Sequence, residues 1–329
     1  MGVTIQQIAV KAGVSKATVS RVLNGLAVKY ETEQKVKAIM EKMQYRPHRF
    51  ARGLAASHKT GFLGVITPSL NPYVTAVLEG MEEEARRNGK LITLATFPTG
   101  AQEEREIIRA MTDPPVVDGL LFFLPSLQME ALIRSLIQRK FPMVVASERR
   151  FENLLPAVII DNFNGAKQAT EYLIGKGHKR IGIIKGRPDM SDSMDRLEGY
   201  KAALREAGLP FEETLVVQGT YDIPSGSEAA EKFLEMADPP SAVFASNDGM
   251  AIGALRTLQT RKKEGAFAIM GFDDIQISSF VTPTLTTVGY DLHELGRQAV
   301  HKLIRQILGE EKVQSTLQLK THLIVRESA

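Results

Sequence analysis

The stretch from Thr4 to Asn24 constrains this chain more than any other. It predicts two short helices joined by a tight turn. Thr4 followed by Gln7 is a capping box, in which each side chain satisfies an orphan N–H at the first helix's start. Gly13 falls where the chain must turn sharply, which a residue without Cβ does most cheaply. Ser15 then caps the second helix. Ile8, Val14, Val19, Val22 and Leu23 are apolar where the two helices would face each other, and Ala9 and Gly13 are small enough to let their axes approach. This is the layout of a helix-turn-helix, whose second helix enters a DNA major groove.

On that second helix Lys16, Ala17, Ser20, Arg21 and Asn24 share one face. Lys and Arg can reach guanine O6 and N7, and a methyl such as that of Ala17 can touch thymine. The alternative is a solvated face on a surface helix. The turn before the helix and the charge around it favour DNA. Residues 1–60 hold 11 Lys and Arg against 3 Asp and Glu, a net charge of +8, whereas the rest of the chain nets −5. A basic head on a mildly acidic body points to a polyanion partner for the head alone.

A length of 329 residues predicts two or three domains. After a loop from Gly25 to Tyr30, Thr32 to Gln44 reads as a helix, with Val36, Ile39, Met40 and Met43 closing a three-helix core. Tyr45 to Thr60 is basic and weakly apolar: a plain linker, or a short helix that needs a partner to be stable. From Gly61 the texture changes. Apolar runs such as Phe62–Thr67 alternate with amphipathic stretches, as in parallel strands and their crossover helices. The predicted strands are 61–67, 91–96, 119–123, 143–146, one near 158–160, 181–184, 215–218, 242–245, 268–272 and 318–325. The predicted helices are 73–88, 102–111, 127–139, 164–176, 192–207, 225–237, 249–261 and 292–308. The fold class is α/β: an all-α head and a doubly wound body of two similar lobes.

Several functions are disfavoured. The start of the chain lacks a signal peptide's pattern and no run approaches the ~18 apolar residues of a membrane span, so a cytoplasmic protein without a membrane partner is expected. There is no cysteine, and six histidines show no metal-site spacing. No metal or cofactor is expected. Gly175-Lys176-Gly177 follows a helix rather than a strand, and no phosphate-binding loop or nucleophile elbow is visible. An enzyme is not expected.

Thr4 to Asn24, with Gln44-Tyr45-Arg46-Pro47 and Ala51-Arg52-Gly53-Leu54, resembles the headpiece of the lactose/galactose repressor family of bacterial transcription regulators. Further blocks carry the resemblance through the body: Gly177-His178-Lys179-Arg180-Ile181-Gly182, Ser246-Asn247-Asp248-Gly249-Met250-Ala251, Gly271-Phe272-Asp273-Asp274 and Pro283-Thr284-Leu285-Thr286-Thr287-Val288. The resemblance implies a helix-turn-helix domain at 1–46, a hinge helix or linker at 47–60 and a periplasmic-binding-protein-like body at 61–329. The body's N-lobe would be about 61–160 and 290–318, and its C-lobe about 161–289 and 319–329, with crossovers near Ile160, Gly289 and Leu319. It implies a homodimer on palindromic operator DNA, controlled by a small-molecule effector in the interlobe cleft, and most simply a repressor.

The DNA-contacting positions it implies are Thr4, Ser15, Lys16, Ala17, Thr18, Ser20, Arg21, Asn24, Lys29, Thr32, Tyr45, His48, Ala51, Leu54 and Ala55. Leu54 would be a wedge in the minor groove. Lys29 and Glu33 stand where the family usually has a serine and an arginine. The effector-contacting positions it implies are Asn71, Tyr73, Ser147, Asp161, Arg196, Tyr221, Asn247 and Asp273. For each of these a helix cap or turn is the alternative. Arg196, placed in the first turn of its predicted helix, opposes the helix dipole and so implies a partner. Ser147 stands where many relatives carry an aspartate, and Arg149 and Arg150 beside it leave room for an anionic ligand or are simply exposed. Two other classes share parts of this pattern. A sugar receptor would match the body but not the basic head, and an enzyme with a DNA-binding head would need a catalytic motif.

Overall fold

The computed structural model describes residues 3–23, 26–45, 60–96, 101–125, 127–310 and 315–329. It divides into two units, residues 1–60 and 61–329.

The head is built from helices α1 (Ile5–Ala12), α2 (Lys16–Leu23) and α3 (Tyr30–Lys42). The Thr4–Gln7 capping box is present: the Gln7 N–H donates to Thr4 Oγ1 at 3.3 Å, and the Thr4 N–H donates to Gln7 Oε1 at 2.9 Å. Gly13 ends α1 at φ 65°, a left-handed conformation that a Cβ would strain. Ser15 Oγ then accepts from the Thr18 N–H at 3.0 Å. Ile8, Ala9, Ala12, Val19, Val22 and Val36 form the core, with Val14, Leu23, Ile39, Met40 and Met43 packed on it. Helix α3 starts at Tyr30, two residues before the expected Thr32. Glu31 and Glu33 in its first turn complement the helix dipole.

The body has two six-stranded sheets. The first has the order β11-β5-β4-β3-β1-β2, made from β1 (Phe62–Thr67), β2 (Leu91–Thr96), β3 (Gly119–Phe123), β4 (Met143–Ala146), β5 (Ala157–Ile160) and β11 (Thr316–Leu319). The second has the order β12-β10-β9-β8-β6-β7, made from β6 (Ile181–Lys185), β7 (Val216–Gln218), β8 (Ala242–Ala245), β9 (Ala268–Asp273), β10 (Thr286–Gly289) and β12 (His322–Ile324). The orders match strand for strand. Only the last strand differs: β11 runs parallel to β5, and β12 antiparallel to β10. The chain passes between sheets after β5, after β10 and between β11 and β12.

Helices α4 (Pro72–Arg87), α5 (Ala101–Thr112), α6 (Glu130–Gln138) and α11 (Leu292–Leu308) belong to the first lobe; α7 (Asn162–Gly175), α8 (Ser191–Glu206), α9 (Ile223–Leu234) and α10 (Asp248–Thr260) belong to the second. Three helix pairs approach through glycine. A Cβ at Gly80 of α4 would strike the His293 carbonyl, and one at Gly296 of α11 the Val77 carbonyl. Gly226 of α9 and Gly253 of α10 meet the Met250 and Ile223 carbonyls, and Gly199 of α8 meets that of Phe163.

Three expectations change. The expected last strand 318–325 is two strands, because Lys320 and Thr321 carry the chain from one sheet to the other. Thr286–Gly289 is a buried strand that the sequence reading had not assigned. Residues 127–139 open with a short 3-10 turn, Leu127–Met129, before α6.

Candidate functional site

In the head, Lys16, Ala17 and Arg21 are exposed on α2, as a groove-reading face requires, and Thr18 and Ser20 are half-buried. The Arg21 guanidinium donates to the Ala27 carbonyl at 3.0 Å, so its reach is set by the loop that follows α2. Lys29 precedes α3 and makes no side-chain cap, and Thr32 lies half-buried in the helix's first turn. Tyr45 packs on the head core. Thr4 and Ser15 are exposed and cap their helices. Asn24, His48, Ala51, Leu54 and Ala55 lie outside the described residues.

In the body, the strand ends of the second lobe hold Arg196, which is only 2% exposed. Helix α8 begins at Ser191, so Arg196 sits in its second turn rather than its first. The partner its position implied is within the protein. Its Nε donates to Asn162 Oδ1 at 2.9 Å and its Nη2 to Asp273 Oδ1 at 3.2 Å, and Nη1 donates to the Ser246 carbonyl. The guanidinium lies 3.7 Å from the centre of the Phe272 ring. Such a stack over an aromatic face is worth a further fraction of a kcal/mol to about 2 kcal/mol when desolvated. Burial alone would lower the Arg196 pKa, but Asp273 and Asp192 outweigh it and hold the group above its ordinary value.

The carboxylates around it respond in kind. Burial pushes Asp273 up to about 6 despite Arg196, and it raises Asp192 as well. Asp248, beneath them, is pushed up to about 7 by burial and by Asp273. It accepts from the Ile275 N–H at 2.9 Å and from the Ser278 hydroxyl at 2.7 Å.

Three tyrosines complete the site. The Tyr221 hydroxyl donates to Asp192 Oδ1 at 2.9 Å. The Tyr290 hydroxyl donates to Asp273 Oδ1 at 3.2 Å and lies 3.1 Å from that of Tyr73, which is 3.0 Å from Ser147 Oγ. Tyr73 and Ser147 belong to the first lobe and Asp273 to the second, so this chain of hydroxyls spans the cleft. Ser147, Tyr221 and Asp273 all have positive φ, at 63°, 69° and 105°. Strained backbone of this kind concentrates at functional sites.

Five of the eight expected effector residues, Tyr73, Ser147, Arg196, Tyr221 and Asp273, fall in this one network. The other three are helix caps: Asn71 for α4, Asp161 for α7 and Asn247 for α10. Asn247 also donates to the Tyr221 carbonyl at 3.0 Å, which ties it to the site's edge. The eight expected positions leave out Asn162, Asp192, Tyr290 and the buried Glu148. Asn162 and Glu148 belong to the same strand-end stretches as Asp161 and Ser147, which mark them as candidates. Nothing in the sequence marked Tyr290. Arg149 is exposed and pairs with Asp195 at 2.6 Å, and Arg150 is half-buried and pairs with Glu148 at 3.1 Å.

A helix-turn-helix head with a two-lobed body whose strand ends converge on a buried polar cluster defines a class: DNA-binding transcriptional regulators with an effector-binding domain. Residues 4–48 match the family of bacterial regulatory proteins described as lacI, and residues 170–329 match a periplasmic binding protein-like domain. Catabolite control protein A of Priestia megaterium is 35% identical, covering 98% of each chain. The transcriptional repressor CytR of Escherichia coli is 33% identical over 99% of this chain and 96% of its own. Among solved structures, the lac repressor dimer bound to operator and an anti-inducer matches with a TM-score of 0.86 at 25% identity, covering 100% of this chain and 99% of that one. The chain belongs to the LacI family of bacterial regulatory proteins and is a transcriptional regulator with an effector-binding domain. Its relatives are regulators rather than enzymes. No helix among the described residues is long and apolar enough to cross a membrane.

Proposed function

We propose that the chain divides functionally into an operator-reading head (1–46), a hinge (47–60) and an effector-binding body (61–329), and that it works as a homodimer on a palindromic operator in the cytoplasm. A single head buries too little surface and reads too few bases for tight specificity; two heads on a palindrome solve this. Lys16, Ala17 and Arg21 read bases, and Leu54 wedges the central step. The effector, a sugar or related metabolite rich in hydroxyls, sits in the cleft against Arg196, Asp273, Tyr221, Tyr73 and Ser147. A mutually exclusive ligand–DNA preference is reciprocal: an effector that weakens operator binding is bound more weakly on the operator. No catalytic step is assigned to the cleft.

The observation that carries the reading is the Arg196 cluster. A buried cation bonded to Asn162 and Asp273 and stacked on an aromatic ring offers fixed donors and acceptors at the strand ends, where ligands of open α/β sheets bind. A thermal-shift screen of sugars, sugar phosphates, sugar acids and purines, repeated with operator DNA, tests it. One class should raise the melting temperature of the parent and not of an Asp273→Asn variant, and DNA should change the size of that shift. A ligand that stabilises both proteins equally would place the effector elsewhere.

A further inference from the structure

The loop after β4 and the segment that opens α8 meet at four points across the cleft. The Ser191 N–H donates to Glu148 Oε2 at 3.0 Å. The Arg149 N–H donates to Ser191 Oγ at 3.1 Å, and the Arg149 guanidinium to Asp195 Oδ1 at 2.6 Å. The Arg150 guanidinium donates to the Asp189 carbonyl. One side of each contact lies in the first lobe and the other in the second.

The Ser191 contact has a particular meaning. A helix begins with N–H groups that have no partner within it. Met190, the residue before α8, supplies no side-chain cap. The first N–H of α8 is therefore satisfied by a carboxylate from the opposite lobe. Glu148 is 1% exposed, and its other oxygen accepts from the Arg150 N–H at 3.0 Å and from Arg150 Nε at 3.1 Å. A carboxylate at a helix N-terminus is favoured both by the hydrogen bond and by the helix dipole. Parting the lobes would leave the start of α8 uncapped, take the Ser191 N–H from Glu148 and take the Arg149 guanidinium from Asp195, while Arg150 stays with Glu148. Helix α8 also carries Asp192 and Arg196.

We propose that Glu148 is a latch: it caps α8 across the cleft and holds the two lobes together in the arrangement described here. Glu148 is a positioning residue, acting on the cleft through α8. The consequence for ligand binding rests on the effector reading above, but the latch does not. If the binding-competent arrangement is the rarer, open one, apparent affinity is reduced by its population, and loosening the latch tightens effector binding in proportion.

The test needs no effector. The chain has no cysteine, so Ser135→Cys on α6 and Arg205→Cys on α8 place one spin label on each lobe. The labelled full-length protein is mixed with excess unlabelled protein so that a dimer carries one pair. The parent should give one narrow distance population. Glu148→Ala should add a longer population of comparable weight. Glu148→Asp, one methylene short of Ser191, should behave like Glu148→Ala, and Glu148→Gln, which keeps one acceptor, should fall between them. Circular dichroism confirms that each variant is folded. If Glu148→Ala does not fold, Glu148→Asp, which keeps a carboxylate beside Arg150 but falls short of Ser191, replaces it. A folded Glu148→Ala, or that replacement, with the parent's narrow distribution overturns the proposal. So does a parent that already shows both populations.

Discussion

The head and the cleft use arginine in opposite ways. On α2, Arg21 is exposed and bonded only to a neighbouring loop carbonyl among the contacts described above, and Lys16 and Ala17 beside it face outward. In the body, Arg196 is buried, shared among Asn162, Asp273 and a backbone carbonyl, and stacked on Phe272. A surface that reads DNA meets a partner which brings its own charge, so its cations can wait in water. A cleft that takes a small molecule must hold its polar groups ready out of water, and buried polar groups need partners before the ligand arrives. On the proposed reading, recognition in the head is separable from folding, whereas in the cleft the same residues serve both.

The largest test of that division is removal of the head. A chain starting at Gly61 should lose operator binding altogether while keeping its ligand response, as measured by fluorescence anisotropy of labelled operator and by thermal shift. A body that still shifts operator as the full chain does would erase the contrast.

Next in size is Arg196→Ala. Truncating one partner of a buried charge pair leaves Asp273 and Asp192 uncompensated, which typically costs about 3–5 kcal/mol. Denaturant unfolding should show that loss together with loss of the ligand response. An unchanged unfolding midpoint would mean that the cleft is as separable from the fold as the head is.

Lys16→Ala and Arg21→Ala should be smaller and confined to function. Each should cost roughly 1–3 kcal/mol of operator binding per half-site if the residue reads a base, with relaxed preference at one position, and leave stability unchanged. An equal loss on every DNA sequence would reassign that residue to the phosphates.

The smallest effect concerns pH. Asp248 is held at about 7 by burial and by Asp273. It binds its proton more tightly in the fold than in the unfolded chain, so the folded state is favoured at low pH. That advantage is lost as pH rises from about 4, the ordinary value, through about 7. Asp248→Asn should flatten this part of the body's stability profile, read as unfolding midpoints at several pH values. A slope equal to the parent's would show that Asp248 is not its source.

Much of the architecture was legible because its signals are local. The Thr4–Gln7 box, the Gly13 turn and the alternation of apolar runs with amphipathic stretches each involve residues within a turn or a strand of one another. The caps Asn71, Asp161 and Asn247 were legible as candidates, but their role as caps was not separable from a ligand role. The cluster itself was only half visible. Arg196 and Asp273 are 77 residues apart and Tyr73 and Tyr290 are 217 apart, and no local pattern encodes which carboxylate a buried cation will meet. Strand Thr286–Gly289 escaped because four residues closely following Pro283 carry too little alternation to separate a strand from a loop.

The glycine contacts between helices have a mechanical consequence. Where Gly80 and Gly296 bring the α4 and α11 backbones together, and Gly226 and Gly253 do the same for α9 and α10, the helices interlock main chain to main chain. Such joints resist sliding, because any shear would drive a carbonyl into the neighbouring Cα. Each lobe therefore behaves as a stiff plate, and deformation is concentrated in the three chain passages between the sheets. All three are short (Asp161 between β5 and α7, Tyr290–Asp291 between β10 and α11, Lys320–Thr321 between β11 and β12), so the lobes can swing or twist about them but have little freedom to translate apart.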